Sequence, residues 1–213
     1  MSDRKSAVVL PGRLARLPRD RHGRLVPWFV GYVDGVPDHR VIRPGGVPEA
    51  VRFRLCFLCG GQLGAYSSFV VGPMCVINRV AAEPPAHRTC AEYAVQACPF
   101  LITPNMRRRP DLPEGSIEPE GMQKNNPGTG VVWTTRSWEQ MRQRQLITFG
   151  DPTEVTWWTE GRRATRDEAS TALAEGLGRL RVAAWEEDPS PRVQENLTRQ
   201  YDAALVHLPG AAA

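Results

Sequence analysis

Cys56-Phe57-Leu58-Cys59-Gly60 and, further along the chain, His87-Arg88-Thr89-Cys90 are the two stretches on which the fold turns. In the first, two thiolates three positions apart can grip one ion while the glycine lets the chain turn back beneath it. In the second, two ligands at i and i+3 fall on one face of the first turn of a helix. Pro84 and Pro85 introduce that helix, which is expected to run from His87 to about Ala97 and to be stopped by Pro99. Cys56, Cys59, His87 and Cys90 would fill a tetrahedron, leaving no position for water, so the expected cofactor is a structural Zn2+. The net negative charge of a Cys3His zinc centre is favoured at a helix N-terminus. Knuckle, intervening hairpin and paired ligands at a helix start together have the layout of a treble-clef zinc finger.

The chain has five cysteines, an odd number, which argues against a disulfide scaffold and for a metal site. Cys98 lies eight residues beyond Cys90, roughly 12 Å along a continuous helix, so both sulfurs cannot ligate one ion. Cys98 is expected as a buried thiol on the helix face. Cys75, after Gly72-Pro73-Met74, remains a possible substitute for His87 as fourth ligand.

Working outward, the segment 1–24 holds seven basic side chains punctuated by Pro11, Gly12, Pro18 and Gly23, and reads as a basic, largely extended arm. The zinc-binding domain is expected over 25–102, with strands at Leu25–Val33, Val51–Leu58 and Tyr66–Val71 and a turn-rich stretch at Asp34–Pro48. The segment 103–130 is almost free of large apolar residues and reads as a flexible linker or loop. An α/β region is expected over 131–213. It contains a strand at Val131–Thr135, then a β-hairpin formed by Gln145–Phe149 and Glu154–Trp158 around Gly150-Asp151-Pro152. Thr165-Arg166-Asp167-Glu168 is a capping box that starts a helix with an apolar stripe of Ala169, Leu173, Leu177, Leu180 and Ala184, weakened at Gly176 and Gly178. Ser190-Pro191 opens a second helix with a recurring apolar face. The expected fold class is α+β: a treble-clef-like zinc finger core with a C-terminal β-hairpin plus helical pair.

Of 27 basic residues only Lys5 and Lys124 are lysines, an arginine skew that accompanies the Ala, Gly, Pro and Val richness of GC-rich coding sequence. The net charge runs from +6 over 1–54, through 0 over 55–104 and +2 over 105–150, to −4 over 151–213. Such a gradient can steer a polyanion to one side of a molecule, although a solvated arginine-rich surface gives the same arithmetic. Asn78 and Arg79, or Arg107, Arg108 and Arg109, are candidate anion-binding groups. Each also has a structural reading, as a turn with an ion pair or as a solvated loop. Trp133, Trp138, Trp157 and Trp158 could stack bases, with at least two of them expected in the core. Met1 to Leu17 lacks a sustained apolar stretch and a cleavage site, and no apolar run is long enough to span a bilayer, so the expectation is a cytoplasmic protein with no membrane partner.

The pattern LCxxCG, GPMCxxNR, AEPPxHxxCA and CPFL resembles a group of uncharacterised small proteins of phage and prophage genomes in GC-rich bacteria. The likeness covers about Pro27 to Leu101 well and Trp157 to Leu180 loosely. It implies a metal-bearing core and, for a phage-encoded chain, the host cytoplasm; it implies no activity. A nucleobase deaminase is excluded, because the H-x-E that must precede such a cysteine pair is missing. The functional expectation is therefore a non-enzymatic zinc-binding module, a binding or adaptor protein whose partner is a protein or a nucleic acid. The alternative is an HNH-like nuclease acting on DNA, which requires His87 to be catalytic and Cys75 to take its place on the metal.

Overall fold

Thr129–Thr135 (TGVVWTT) carries no polar alternation, and in the computed structural model, which describes residues 8–107, 125–141 and 145–210, the reason is plain. The strand lies at the centre of a four-stranded antiparallel sheet with both faces covered. Val131 and Trp133 point into one hydrophobic core and Val132 into another. The elements in chain order are α1 (Gly12–Ala15), β1 (Val30–Val33), β2 (Val36–Ile42), α2 (Gly46–Arg52), β3 (Ser67–Val71), α3 (Pro73–Asn78) and β4 (Val80–Ala81). There follow α4 (Arg88–Ala97), α5 (Pro99–Ile102), β5 (Thr129–Thr135), β6 (Trp138–Gln140), β7 (Ile147–Phe149), β8 (Pro152–Thr159), β9 (Arg162–Arg163), α6 (Arg166–Glu187) and α7 (Pro191–Ala204).

The central sheet has the order β3-β5-β8-β9. On one face, Phe69, Val71, Val131, Trp133 and Trp157 meet Val76 and Ile77 of α3 and Ala169, Leu173 and Leu177 of α6, with Leu197 and Ala204 of α7 closing that core. On the other, Val132 and Trp158 meet Cys90, Ala91 and Val95 of α4, together with Cys56 and Leu63 beside the first cysteine pair. A third cluster, Val47, Ala50 and Phe57, joins α2 to Trp28, Phe29 and Ile42, with the rings of Phe29 and Phe57 stacked at 4.6 Å. The sheet thus positions the cysteine motifs: it fixes the face against which α4 lies, and α4 presents His87 and Cys90.

Several expectations are corrected here. Gln145–Phe149 and Glu154–Trp158 do not form a hairpin. β7 pairs with β4 and β6, whereas β8 pairs with β5 and β9, so the two strands belong to different sheets. Gly150 is a point of close approach rather than a hairpin turn, since a Cβ there would stand 2.1 Å from Ser137 Oγ. Ile147–Phe149 instead pairs back with β6 across the stretch 141–146, and two further hairpins use Asp34-Gly35 and Glu160-Gly161, two-residue loops in which both residues have positive φ. Val51–Leu58 is not a strand: α2 ends at Arg52, because Gly45 in the left-handed region starts a helix that tolerates Pro48 in its first turn and buries Val47 and Ala50. The first described residues of the arm are not simply extended. α1 buries Leu14 in the second core, and Asp20 ties the next turn by accepting hydrogen bonds from the backbone N–H of His22 and Arg24. Apart from these corrections, β3 of the segment 25–102 pairs with β5, which runs into the segment 131–213, within one sheet. Most of the stretch between these two segments lies outside the described residues; at its end, Asn126 donates to the carbonyls of Phe100, Leu101 and Thr103 and thereby fixes the entry to β5.

The capping box forms as its sequence dictates: the Thr165 hydroxyl accepts from the Glu168 N–H, and the Glu168 carboxylate accepts from the Thr165 N–H at 2.8 Å. Gly176 does more than weaken α6. A Cβ on it would meet Met74 N and Pro73 Cβ at 3.1 Å, so its bareness lets the start of α3 approach the helix. Hydrogen bonds from Arg162, then from Thr165, pull the Glu168 carboxyl down from an ordinary 4.5 to about 2. A depressed carboxyl pKa stabilises the fold above the unfolded value and loses that contribution as pH falls through the folded one. Glu168→Gln is therefore expected to lower the melting temperature at neutral pH, with the gap to wild type closing between pH 4.5 and about 2. Paired thermal melts across that range test this; a gap that stays constant with pH contradicts it.

Candidate metal centre

The knuckle begins where α2 ends. Arg54 in the left-handed region turns the chain, the Leu63 N–H donates to the Arg54 carbonyl at 2.9 Å, and Leu55 and Gln62 form a one-pair antiparallel bridge. Within this closed loop the Cys56 N–H donates to the Gly61 carbonyl and the Gly60 N–H to the Cys56 carbonyl, both at 2.8 Å. Gly60 has φ +72°, and a Cβ on it would stand 2.5 Å from the Trp28 ring, so glycine is required twice over. The second ligand pair arrives from the opposite direction. Ala86 and Ser68 exchange two hydrogen bonds of 2.8 Å, which hold the chain against the edge of β3 just before α4. Phe57 N–H donates to the Pro85 carbonyl at 3.0 Å and links the two approaches.

His87 is the N-cap of α4 and Cys90 lies in its first turn. The ligand atoms of Cys56, Cys59, His87 and Cys90 all lie within 4.8 Å of one another. A tetrahedral zinc with Zn–S near ~2.3 Å and Zn–N near ~2.0 Å needs sulfur–sulfur edges of about 3.8 Å and a sulfur–nitrogen edge of about 3.6 Å. Cys59 Sγ and His87 Nδ1 are 3.4 Å apart, already at that spacing. The other imidazole nitrogen, Nε2, is 2.9 Å from the Gln62 carbonyl and donates to it, which places the proton on Nε2 and leaves the Nδ1 lone pair for a metal. The Cys56 sulfur accepts from the N–H groups of Cys59 at 3.4 Å and His87 at 3.3 Å, contacts that favour a thiolate. Cys56 and Cys90 are fully buried, and Cys59 and His87 are partly exposed.

Proton affinities in this group are set by crowding. Hydrogen bonds from Cys56, then from Cys90, hold Cys59 far below the usual thiol range. Cys56 is pushed up, chiefly by its bond to Cys59, and Cys90 is pushed up by its bonds to Cys56 and Cys59. Without a cation, three sulfurs this close compete for protons, each thiolate raising the cost of ionising the next. A divalent ion replaces those protons and lets all three ionise. The residues fit a metal of zinc's size and softness.

Cys75 stands apart from this group. It lies in α3, against the core on the other face of the sheet, and burial pushes its thiol up to about 11. Cys98 is the C-cap of α4 and is partly exposed, since the helix ends there and Pro99 starts α5. No cysteine is in a disulfide. Among the anion-binding candidates, Asn78 accepts a bond from the Val80 N–H, and Arg79 lies 4.0 Å above the Trp133 ring, within reach of the Gly150 carbonyl, His207 and Asp151. Both are engaged inside the fold. Arg107 is exposed and bridges to Asn125; Arg108 and Arg109 lie outside the described residues. Trp133, Trp157 and Trp158 are buried, and Trp138 is partly so.

Sequence reasoning missed the Gln62 carbonyl and the Trp28 ring. A backbone acceptor leaves no mark in composition, and Trp28 reaches Gly60 only after β1 and β2 fold back. The intervening hairpin expected between knuckle and helix is also replaced: β3 pairs with β5, and α3 occupies the connection. No family model, curated protein or solved structure matches the chain. Among the described residues, no helix is long and apolar enough to cross a membrane.

Gly60→Ala is expected to destabilise the protein by more than about 1 kcal/mol, through the strained φ and the Trp28 clash. It should also speed loss of metal to a chelator. Melting curves and metal-release kinetics compared with Gly64→Ala, where a Cβ meets nothing within 4 Å, check this; equal behaviour of the two variants contradicts it.

Proposed function

We propose that the chain is a zinc-dependent structural module that works, without catalysis of its own, as an intracellular binding or adaptor protein. The observation that carries the reading is the convergence of Cys56, Cys59, His87 and Cys90, with the His87 Nε2 proton directed to the Gln62 carbonyl. Four protein ligands fill a tetrahedral ion and leave no site for an activated water. The ion's task is then to join the knuckle to α4. We assign the core to the treble-clef class on the knuckle and the helix-start ligand pair, with the hairpin between them replaced by β3 and α3. The phage or prophage setting rests on the motif resemblance alone. A nuclease reading needs Cys75 on the metal so that His87 can act on substrate, and the position of Cys75 in α3 gives it no support.

Protein purified under reducing conditions is expected to carry about one zinc per chain by elemental analysis. Removing the ion with a chelator should abolish the near-ultraviolet dichroism of the packed aromatic residues, because structural zinc supplies folding free energy on the order of 10–16 kcal/mol in small modules. Cys75→Ser should retain the full zinc content, whereas Cys59→Ala should lose most of it. A metal-free wild type, or zinc lost on Cys75→Ser and kept on Cys59→Ala, would overturn the proposal.

A further inference from the structure

The loop that carries the cysteine knuckle also builds a surface the metal does not use. At its base, Arg52, Phe53 and Arg54 are all exposed, with Phe53 at 51% of its full accessibility. The Arg52 guanidinium lies 5.1 Å over the Phe53 ring, and that of Arg54 lies 4.5 Å over Trp138. Trp138 is anchored by its indole N–H on Ser67 Oγ at 2.9 Å, next to Tyr66, itself 45% exposed. Arg136 lies 4.9 Å over the Tyr66 ring and donates to its hydroxyl. Three ring–guanidinium pairs, joined by the adjacency of Phe53 to Arg54 and by Ser67 between Trp138 and Tyr66, thus form one strip, and Gln62 fastens it to the knuckle by donating to the Phe53 carbonyl.

What sets this strip apart among the described residues is ring-stacked arginines without a carboxylate partner: the other arginines stacked on rings, Arg43, Arg79 and Arg163, each have a carboxylate within 4.0 Å. Arg24, Arg40, Arg43, Arg88 and Arg162 each pair with a carboxylate. Among the described residues, Arg52, Arg54 and Arg136 have no carboxylate within ion-pair distance. Glu49, three positions before Arg52, pairs with Arg43, and Glu139, three positions after Arg136, follows Trp138 on β6, where successive side chains of a strand point to opposite faces. A guanidinium lying flat on a ring keeps its N–H edge for another acceptor, and phosphate matches that edge in two-point geometry. Phe53 and Tyr66 each carry one guanidinium over the ring, and the ring surface left exposed offers stacking that a duplex, whose bases are already stacked, cannot use and a single strand can. Residual duplex binding would need an element for a groove, and α2, the helix beside the strip, is only seven residues long.

We propose that the strip formed by Arg52, Phe53, Arg54, Tyr66, Arg136 and the face of Trp138 binds single-stranded nucleic acid, with arginines on phosphates and rings on bases. The proposal rests on the zinc-module reading, because the knuckle holds Phe53 and Arg54 in place, and it names the partner class of that module. The probe is a fluorescein-labelled oligothymidylate, followed by anisotropy between about 50 mM and about 200 mM salt. Wild type should bind with a steep salt dependence. The triple variant Arg52→Gln, Arg54→Gln, Arg136→Gln should bind more weakly and lower the slope of log Kd against log salt by about 2, at about 0.7 per phosphate contact. Phe53→Leu with Tyr66→Leu should weaken binding at least about 10-fold and leave the slope unchanged. Both variants should keep wild-type zinc content and melting temperature. An absence of binding, an unchanged triple variant, an unchanged ring variant, or equal competition by duplex DNA or polyglutamate would overturn the proposal. Zinc content measured on the same samples tells the two readings apart. Zinc-loaded protein that fails to bind removes the surface alone, and metal-free protein removes the module reading and the strip with it.

Discussion

Three cysteine sulfurs and an imidazole nitrogen held within 4.8 Å of one another impose the constraint from which the rest of the structure can be understood. Three thiolates at that spacing repel, and three thiols would accept only weakly the hydrogen bonds that the backbone N–H groups of Cys59 and His87 direct at the Cys56 sulfur. A divalent cation satisfies both demands. The stretch it organises is closed by backbone hydrogen bonds and has little apolar packing of its own: Gly60, Gly61, Gln62 and Gly64 offer almost no apolar surface, and Leu63 alone among the residues after Cys59 in that loop is buried. With an ion in place, the loop becomes a rigid extension of α4.

That rigidity is carried into the body of the protein by a short chain of contacts. His87 caps α4, Ala86 is hydrogen-bonded to Ser68 of β3, and β3 is the edge strand of the central sheet. The sheet separates two cores, and Trp138, packed against both, together with Val51 of α2 gives a second link between the metal side and the α3, α6 and α7 side. Trp133 and Trp158 sit on opposite sides of this partition, the first in contact with Arg79 and His207, the second close to α4. Trp133 also donates to the Gly150 carbonyl, and Trp157 to that of His207, which draws the end of the chain onto the sheet.

What the sequence revealed was local. The two candidate ligand pairs, the span of α4, the capping box at Thr165 and the proline-led start of α7 are each encoded within a few residues, and each signal has a direct physical cause. Pairings made across long separations were not legible. The β3–β5 partnership joins Phe69 to Trp133, and the strands on either side of Gly150 look like a hairpin because turn residues flank them. Their separation into two sheets depends on β4 arriving from far upstream. Asp34-Gly35, by contrast, carried a hairpin signal between Val33 and Val36 that a turn-rich reading of the whole stretch obscured. The arginines are too many for the sequence to sort: that Arg79, a candidate for anions, is engaged by Trp133, and that Arg52, Arg54 and Arg136 lie over Phe53, Trp138 and Tyr66, is visible only in the folded surface.

X-ray absorption at the zinc edge of the purified, reduced protein tests the central claim most directly, because it reads the first coordination shell without reference to fold. The account predicts three sulfur scatterers near ~2.3 Å and one nitrogen near ~2.0 Å, with the outer-shell pattern of an imidazole. A four-sulfur shell would place a further cysteine on the metal in place of His87, and a shell dominated by oxygen and nitrogen would show that these cysteines do not hold it; either result contradicts the account.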